Sequence, residues 1–211
     1  MRRVKAVEKH RKASTRAATQ ALAAAPHLFG EIRQPVGRYI LVPRHSSERR
    51  RIIPIGFMPP DVIVGDANLC IPNAGLYEFG VLTSRMHMAW VSHVCGRLES
   101  RYRYTNQIVY NNFPWPVLHE KSDLALVSKA QAAIETAAQA VLDARASEVG
   151  ATLADLYNPP MPEGLLKAHR ALDAAVDAAY ALGGGKKSWK SDAERVAYLF
   201  TQYQKLTSLQ G

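Results

Sequence analysis

The spacing of apolar residues changes twice along the chain, and the changes predict three segments. Residues 2–25 combine basic and Ala-rich positions at helical spacing and end at Pro26, which favours a basic N-terminal helix. Short β-branched and aromatic runs bounded by turn residues follow, up to about residue 116, and predict strands. Beyond them, Ala- and Leu-rich segments with apolar residues three and four positions apart predict long helices.

Four short apolar runs in the middle of the chain are typical of strands, because Pro, Gly, Asn and Ser turns lie between them. The runs are Arg38–Pro43, Ile52–Gly56, Asp61–Gly65 and Leu69–Ile71. A helix is predicted next, since Thr83 or Ser84 can cap a segment whose apolar positions share one face. Gly96 is expected to end that helix.

The hexapeptide ESRYRY alternates charged and aromatic residues after this helix. Successive side chains of a strand point to opposite faces, so Glu99, Arg101 and Arg103 are predicted to share one face. Tyr102 and Tyr104 then lie on the other face, where burial is expected rather than stacking on a base. A row of charges on a strand either contacts a polar, patterned partner or marks a solvated edge that resists pairing. The alternation leaves both open.

The C-terminal part of the sequence predicts a bundle of helices. The amphipathic segments are Ser122–Glu148, Glu163–Leu182 and Ser191–Leu209. Thr152 with Asp155, and Ser191 with Glu194, match the capping-box pattern of helix starts. Gly183–Gly185 is expected to form a flexible loop.

The order of these elements predicts an α+β fold, in which a mixed α/β domain is followed by an all-α C-terminal helical domain. The expected parts are a basic N-terminal helix at residues 1–28, the mixed domain at residues 29–116 and the helical domain at residues 117–211. The boundary is placed at Phe113–Pro116, where alternating aromatic and proline residues would fix the exit of the last strand.

Positive charge is concentrated in the front half of a chain whose net charge is +9. Residues 1–116 contain 17 Lys and Arg against 7 Asp and Glu, whereas residues 117–211 contain 10 against 11. Such an excess favours a polyanionic partner such as nucleic acid. The residues expected to contact phosphates are Lys9, Arg11, Lys12, Arg49, Arg50, Arg51 and Arg97. For Arg49–Arg51, a solvated turn explains the pattern equally well.

Cysteine content and hydropathy exclude several classes of protein. Cys70 and Cys95 do not resemble the framework of a disulfide-rich secreted domain, so a cytoplasmic location is expected. No apolar run approaches the length of a membrane span, so no membrane partner is expected. Glu8 and the lack of a continuous apolar core argue against a signal peptide at the N-terminus.

No catalytic residues and no metal site are expected. The sequence NPP at residues 158–160 is like the Asn-Pro-Pro-aromatic motif of amino-group methyltransferases, but Met161 replaces the aromatic ring. A proline-rich break between two helices is favoured instead. The sequence GGGKKS at residues 183–188 lacks the spacing of a phosphate loop. His87 and His93 do not share a helix face, and the cysteines lack paired-ligand spacing.

Two sets of segments carry a resemblance to a known family. The first set is Tyr39–Arg51, Ile53–Phe57, Leu82–Trp90, Gly96–Tyr104 and Val109–Pro116. The second set is Ala140–Arg145, Leu153–Tyr157, Ala168–His169 with Leu172–Asp173, and Ser191–Ala197. The first set resembles the target-recognition domain of the MmeI-like fused Type II restriction–modification enzymes, which are N6-adenine DNA methyltransferases. The second set is similar to the C-terminal helical domain of that family.

The resemblance implies a role in recognising DNA, without chemistry in this chain. Family members act on DNA using S-adenosylmethionine, and their nuclease and methyltransferase domains precede the region that is matched here. The chain is therefore expected to be the specificity end of such an enzyme and to bind no cofactor itself. Its expected partners are double-stranded DNA and those two domains.

The family also assigns base discrimination to a few positions. Their equivalents here are Arg44, Asp66, Ala67, Glu99, Arg101 and Arg103. Arg can donate to both O6 and N7 of guanine, and a carboxylate can accept from the amine of cytosine. The resemblance thus implies that Glu99 with Arg101 reads one G·C pair and that Arg44 with Asp66 reads another.

Two alternative functions remain open from the sequence. One is a stand-alone nucleic-acid-binding protein with no enzymatic partner. The other is an interaction module, in which the neutral helical half docks another protein and the positive charge of the front half is incidental.

Overall fold

The computed structural model describes residues 1–116 and 123–208. The chain divides into two compact units, Met1–Gln34 and Pro35–Gly211. No helix among the described residues is long and apolar enough to cross a membrane.

The first unit contains two helices, where the sequence predicted one. Helix α1 spans Arg2–Lys12, helix α2 spans Ala17–Ala21, and a 3-10 turn continues α2 over Leu22–Ala24. The break falls at Ser14, whose Oγ accepts the backbone N–H of Arg16 and whose carbonyl accepts the side-chain amide of Gln20. A serine side chain offers the backbone an alternative to helical hydrogen bonds, so the helix stops there.

The second unit begins with two small antiparallel sheets. The first sheet has the order β3-β1-β4, and the second has the order β2-β6-β5. The strands are β1 Tyr39–Pro43, β2 His45–Ser46, β3 Gly56–Met58, β4 Asn68–Pro72, β5 Gly96–Leu98 and β6 Arg101–Arg103. Arg44 alone separates β1 from β2, so the chain passes from one sheet to the other at this residue.

Two of the predicted strands are wrong. Residues 52–55 are irregular and strand β3 begins only at Gly56, because Pro54 has no N–H to donate and Ile55 donates to the carbonyl of Ile53 instead. Ile53 and Ile55 are nevertheless buried, so the apolar run serves the core without forming a strand. Residues 61–65 are also irregular, since the N–H of Val62 bonds in a turn to the carbonyl of Pro59.

Two helices connect the sheets. Helix α3 spans Leu76–Leu82, which the sequence did not predict, and helix α4 spans Arg85–Val94. The predicted cap of α4 is confirmed at Ser84, whose side chain accepts the backbone N–H of His87. After the second sheet, a π-helical turn over Asn106–Tyr110 leads to Phe113 and the end of this part.

The described residues of the C-terminal part form four helices. They are α5 Leu124–Ala146, α6 Leu153–Tyr157, α7 Glu163–Leu182 and α8 Asp192–Ser208. The predicted ends Ser122 and Leu209 lie outside the described residues. The capping box at Thr152 is present with both of its hydrogen bonds. At Ser191 only half of it forms, because the carboxylate of Glu194 accepts the N–H of Lys190 instead.

One hydrophobic core joins the sheets to the helices. Helix α3 packs so closely on α5 and α7 that a Cβ at Gly80 would lie 2.7 Å from Ile134 and 3.3 Å from Leu172. Phe113 is buried against Trp90, and the hydroxyl of Tyr180 donates to the carbonyl of Pro114 at 2.7 Å. The small sheets are therefore held on a helical base, with their charged side chains facing outward.

Candidate nucleic-acid interface

Backbone pairing places four of the predicted base-reading residues around the junction of the two sheets. The N–H of Arg44 donates to the carbonyl of Ala67 at 3.0 Å, and the carbonyl of Arg44 accepts the N–H of Tyr104 at 2.7 Å. Asp66 adjoins Ala67 in an exposed turn, and Arg103 adjoins Tyr104 on β6. The structure thus brings Arg44, Asp66, Ala67 and Arg103 together from three separate parts of the chain.

Arg44 is half-buried, and its Nε forms no hydrogen bond among the described residues. A buried donor without a partner costs roughly 1–3 kcal/mol. A ligand atom that accepts from this guanidinium would remove that cost. The geometry of Arg44 therefore suits binding to a polar partner better than a structural ion pair.

The other two predicted readers lie at the tip of the hairpin formed by β5 and β6. Leu98 pairs with Arg101, so Glu99 and Ser100 form a two-residue turn. Glu99 has a positive φ of 57°. The expectation that Glu99 continues the strand is wrong, because a two-residue hairpin loop needs left-handed backbone conformations.

Glu99 still lies beside Arg101, because the turn directs its side chain back along the strand. The distance from Arg101 Nη2 to Glu99 Oε2 is 2.7 Å, with 48% and 75% of the two side chains exposed. A donor fork and a carboxylate are thus presented to solvent as an adjacent pair. Arg103 follows on the same face, about 6–7 Å further along the strand.

The opposite face of β6 belongs to the core. Tyr102 and Tyr104 are buried, as the alternation predicted. The hydroxyl of Tyr104 bonds to Nε2 of His87 at 3.0 Å, and burial lowers the pKa of His87 to about 3. Because its tyrosines are buried in this way, the backbone of the strand fixes the points from which Arg101 and Arg103 extend at the surface.

The predicted phosphate-contacting residues of the second unit fall into two groups. Arg49 and Arg51 are exposed in the turn after β2. Arg50 and Arg97 have partners within the chain: Arg50 Nε donates to Asn158 Oδ1 at 3.0 Å, and Arg97 donates to the carbonyls of Ser92 and Ser100. Arg97 also stacks over the ring of Tyr102, so these contacts stabilise the hairpin.

In the first unit, Lys9, Arg11 and Lys12 lie on helix α1. Arg11 donates to the carbonyls of residues 22, 25 and 28 at 2.8 to 3.0 Å, which fixes the chain after α2. Lys12 forms an exposed ion pair with Glu8. Lys9 is exposed. The structure therefore gives Arg11 a structural role in addition to its charge.

A buried polar network beneath the turn of Arg49–Arg51 was not found by sequence reasoning. Arg145 donates to the hydroxyl of Tyr157 from both Nε and Nη2, and its Nη1 donates to the carbonyl of Ile55 at 2.8 Å. The hydroxyl of Tyr157 in turn bonds to Nε2 of His169 at 2.7 Å. Residues 90 positions apart in sequence form this network, so no local pattern could have indicated it.

The NPP and GGGKKS motifs, which the sequence did not favour as catalytic or phosphate-binding, lie between helices. Asn158 and the two prolines after it lie between α6 and α7, as a helix break would. The GGGKKS segment lies between α7 and α8. Cys70 and Cys95 are free thiols, and the described residues contain no cluster of three or more His, Cys, Asp or Glu side chains that could hold a metal.

Comparison with known proteins identifies the family. Residues 1–117 match the family model of the MmeI target recognition domain, and residues 127–210 match that of the MmeI C-terminal domain. DNA methyltransferase A of Bacillus subtilis (strain 168) is 39% identical over 206 residues, which are 97% of this chain and 22% of that protein.

A similar solved structure is that of the Type IIL restriction-modification enzyme MmeI in complex with DNA. It superposes with a TM-score of 0.86 at 44% sequence identity and covers 98% of this chain and 26% of the MmeI chain. The present chain thus spans about a quarter of the length of these relatives. Because the two family models together cover nearly all of its sequence, the chain belongs to the MmeI family and comprises the target recognition domain followed by the C-terminal domain.

Proposed function

We propose that the chain binds double-stranded DNA and selects its sequence for a larger DNA-modifying enzyme. The observation that supports this most directly is the exposed pair of Glu99 and Arg101 at the tip of a rigid hairpin, with Arg103 on the same face. A two-stranded ribbon fits the major groove, which is about 12 Å wide. The similarity to an enzyme whose structure contains DNA supports the same partner.

Base selection follows from the hydrogen-bonding chemistry of these groups. Arg101 donates to O6 and N7 of a guanine, while Glu99 accepts from N4 of the paired cytosine. The exposed ion pair at 2.7 Å favours this position of Arg101 before DNA binds, which slightly lowers the entropy lost on binding. Arg44 and Asp66 form a second candidate pair of the same kind at the sheet junction.

The proposed reading surface consists of Arg44, Asp66, Glu99, Arg101 and Arg103. Phosphate contacts would position it on DNA without selecting sequence. Arg49 and Arg51 are suited to this role because they are exposed. Lys9 and Lys12 can add non-specific attraction from the first unit. Arg50, Arg97 and Arg11 contribute mainly by fixing local structure, since their guanidinium groups bond within the chain.

The chemistry would reside in other domains of the parent protein. A parent that transfers a methyl group from S-adenosylmethionine to N6 of adenine, with or without a fused nuclease, is consistent with relatives about four times as long as this chain. The present chain would then supply specificity and no catalytic residue. S-Adenosylmethionine would bind elsewhere in the parent.

The test is selection from a library of randomised duplexes by the 211-residue chain, with affinity measured at several salt concentrations. Enrichment of a defined sequence and a linear fall of log affinity with log salt are expected, since each phosphate contact releases bound counterions. Binding that is independent of salt, or that enriches no sequence, would overturn the proposal.

A further inference from the structure

A cavity of about 240 Å³ lies between the turn after β2 and helices α4 and α7. Its volume is well above the roughly 10–15 Å³ that a single water needs. Arg49 and Arg51 line it from the turn, and Arg170 lines it from α7. None of these three guanidinium groups has a carboxylate within 4.0 Å among the described residues. Their charge is therefore available to a ligand.

The remaining charged groups of the cavity are largely paired. Arg85 bonds to Asp192 at 2.7 Å, and its backbone N–H donates to Asp173 at 2.6 Å. Burial raises the pKa of Asp173 to about 6, so this carboxyl group is still largely ionised at neutral pH. With Glu48 and Arg50 included, the lining has five guanidinium and three carboxyl groups, which leaves an excess of two positive charges.

His169, which also lines the cavity, is held in a form that can donate a hydrogen bond. The hydroxyl of Tyr157 accepts two N–H groups from Arg145, so it donates its own hydrogen to Nε2 of His169. Burial and the nearby charges of Arg145 and Arg51 lower the pKa of His169 to about 3, and the neutral ring then carries its hydrogen on Nδ1. Nδ1 has no hydrogen-bond partner within the described part of the chain.

We propose that this cavity binds one phosphate group, which is held by Arg49, Arg51 and Arg170. Arginine forks match the oxygens of phosphate, and the three residues approach from two sides of the cavity. The helical C-terminal part thereby contributes to an anion site that its neutral overall charge would not suggest.

The site is separate from the proposed reading surface. Tyr102 lines the cavity, and it lies on the face of β6 opposite to Arg101 and Arg103. The phosphate group can belong either to a DNA strand or to a free anion such as inorganic phosphate. Only the first of these sources rests on the proposed function, so the experiment has one arm without DNA.

In the first arm, the Tm of the 211-residue chain is measured with increasing inorganic phosphate and with sodium chloride of equal ionic strength. Phosphate is expected to raise Tm above chloride, because a ligand that binds the folded state stabilises it. Arg170→Gln is expected to show a smaller difference, because only the general stabilising effect of phosphate remains, and Arg51→Gln provides a second test if the first variant folds poorly. Lys167→Gln is the matched control, since this residue is exposed on the same helix and does not line the cavity.

In the second arm, the affinity of the same variants for duplex DNA is measured at several salt concentrations. A weaker and less salt-dependent affinity in Arg170→Gln than in Lys167→Gln would identify a DNA phosphate as the occupant, with or without an effect of free phosphate. A phosphate effect on Tm that Arg170→Gln reduces, with DNA binding unchanged, would identify a free anion. If Arg170→Gln and Lys167→Gln behave alike in both arms, the site does not exist.

Discussion

Glu99 adopts a backbone conformation that glutamate rarely takes, with φ at 57° in a two-residue turn. Asn or Gly is the usual residue at such a position. Strain of this kind persists where the surrounding structure holds it, and it often accompanies function. Here the strained residue is also the acceptor of the exposed ion pair with Arg101, which links the turn to the proposed reading of a G·C pair.

Replacing Glu99 should separate its conformational cost from its chemical role. Glu99→Asn is expected to raise the free energy of unfolding by about 0.5–1 kcal/mol, because Asn tolerates the left-handed conformation. Glu99→Gln should leave stability nearly unchanged, since it keeps the strain and the lost ion pair is exposed and weak. Denaturant unfolding measures both. Equal stability of the two variants would mean that the turn is not strained in solution.

At the scale of secondary-structure elements, one buried network ties α5, α6 and α7 to the irregular segment before β3. Arg145 on α5 is 9% exposed, and it bonds to Tyr157 on α6 and to the carbonyl of Ile55. The hydroxyl of Tyr157 also forms a hydrogen bond with His169 on α7. A buried guanidinium is tolerated only if its donors have acceptors, so the hydroxyl of Tyr157 is central to the packing of these elements.

Tyr157→Phe is therefore expected to lower the free energy of unfolding by about 2–3 kcal/mol, since two donors of a buried charged group lose their acceptor. Tyr203→Phe is the matched control, because the Tyr203 hydroxyl has no hydrogen bond among the described residues and should cost little. The two variants are compared by denaturant unfolding. Similar losses in both would show that the network does not carry this stability.

The elements differ in how well their sequences predicted them. Helix α7 matches its predicted bounds, since its periodicity and its proline N-cap are local signals. The apolar residues of 52–55 predicted a strand, but Pro54 withholds an N–H and the core accepts Ile53 and Ile55 from an irregular segment. Helix α3 was missed because it is short and contains Gly80, which is there for close packing on α5 rather than for helix formation.

The candidate site, like the elements, could be predicted only where its signals are local in sequence. The alternation at Arg101–Arg103 could be predicted from the sequence, and the burial of Tyr102 and Tyr104 confirms it. The turn at Glu99 could not be predicted, because neither Gly nor Asn occupies it. Long-range strand pairing places Arg44 between Ala67 and Tyr104. Local residue patterns do not reveal such pairing, so only the family resemblance could suggest it.

Over the molecule as a whole, the sheets and the C-terminal helices share one hydrophobic core within the compact unit Pro35–Gly211. Helix α3 precedes the hairpin in sequence, and at Gly80 it packs closely against both α5 and α7. The proposed reading surface is thus supported by a core that extends to the C-terminal helices. We expect the described part of this unit to unfold in a single transition.

Gly80→Ala tests this shared core. A Cβ there would lie 2.7 Å from Ile134 and 3.2 Å from Ala138, so overpacking should lower stability by about 1–3 kcal/mol although Ala favours helix. Gly164→Ala is the control, because a Cβ at this helical position meets nothing within 4 Å and should leave stability unchanged or slightly higher. Thermal unfolding should show one shifted transition. Two separate transitions, or equal effects of the two variants, would contradict the shared core.

The proposed role of the hairpin face is to select a base pair. It is tested most directly by the affinity of wild type, Arg101→Gln and Lys167→Gln for four duplexes that differ only at one base pair of the selected sequence. Arg101→Gln is expected to lose about 1–3 kcal/mol on the preferred duplex and to bind all four alike, while Lys167→Gln keeps the wild-type preference. If Arg101→Gln keeps the wild-type order of affinities at every position of the selected sequence, Arg101 does not read DNA and the face of the hairpin does not select a base pair.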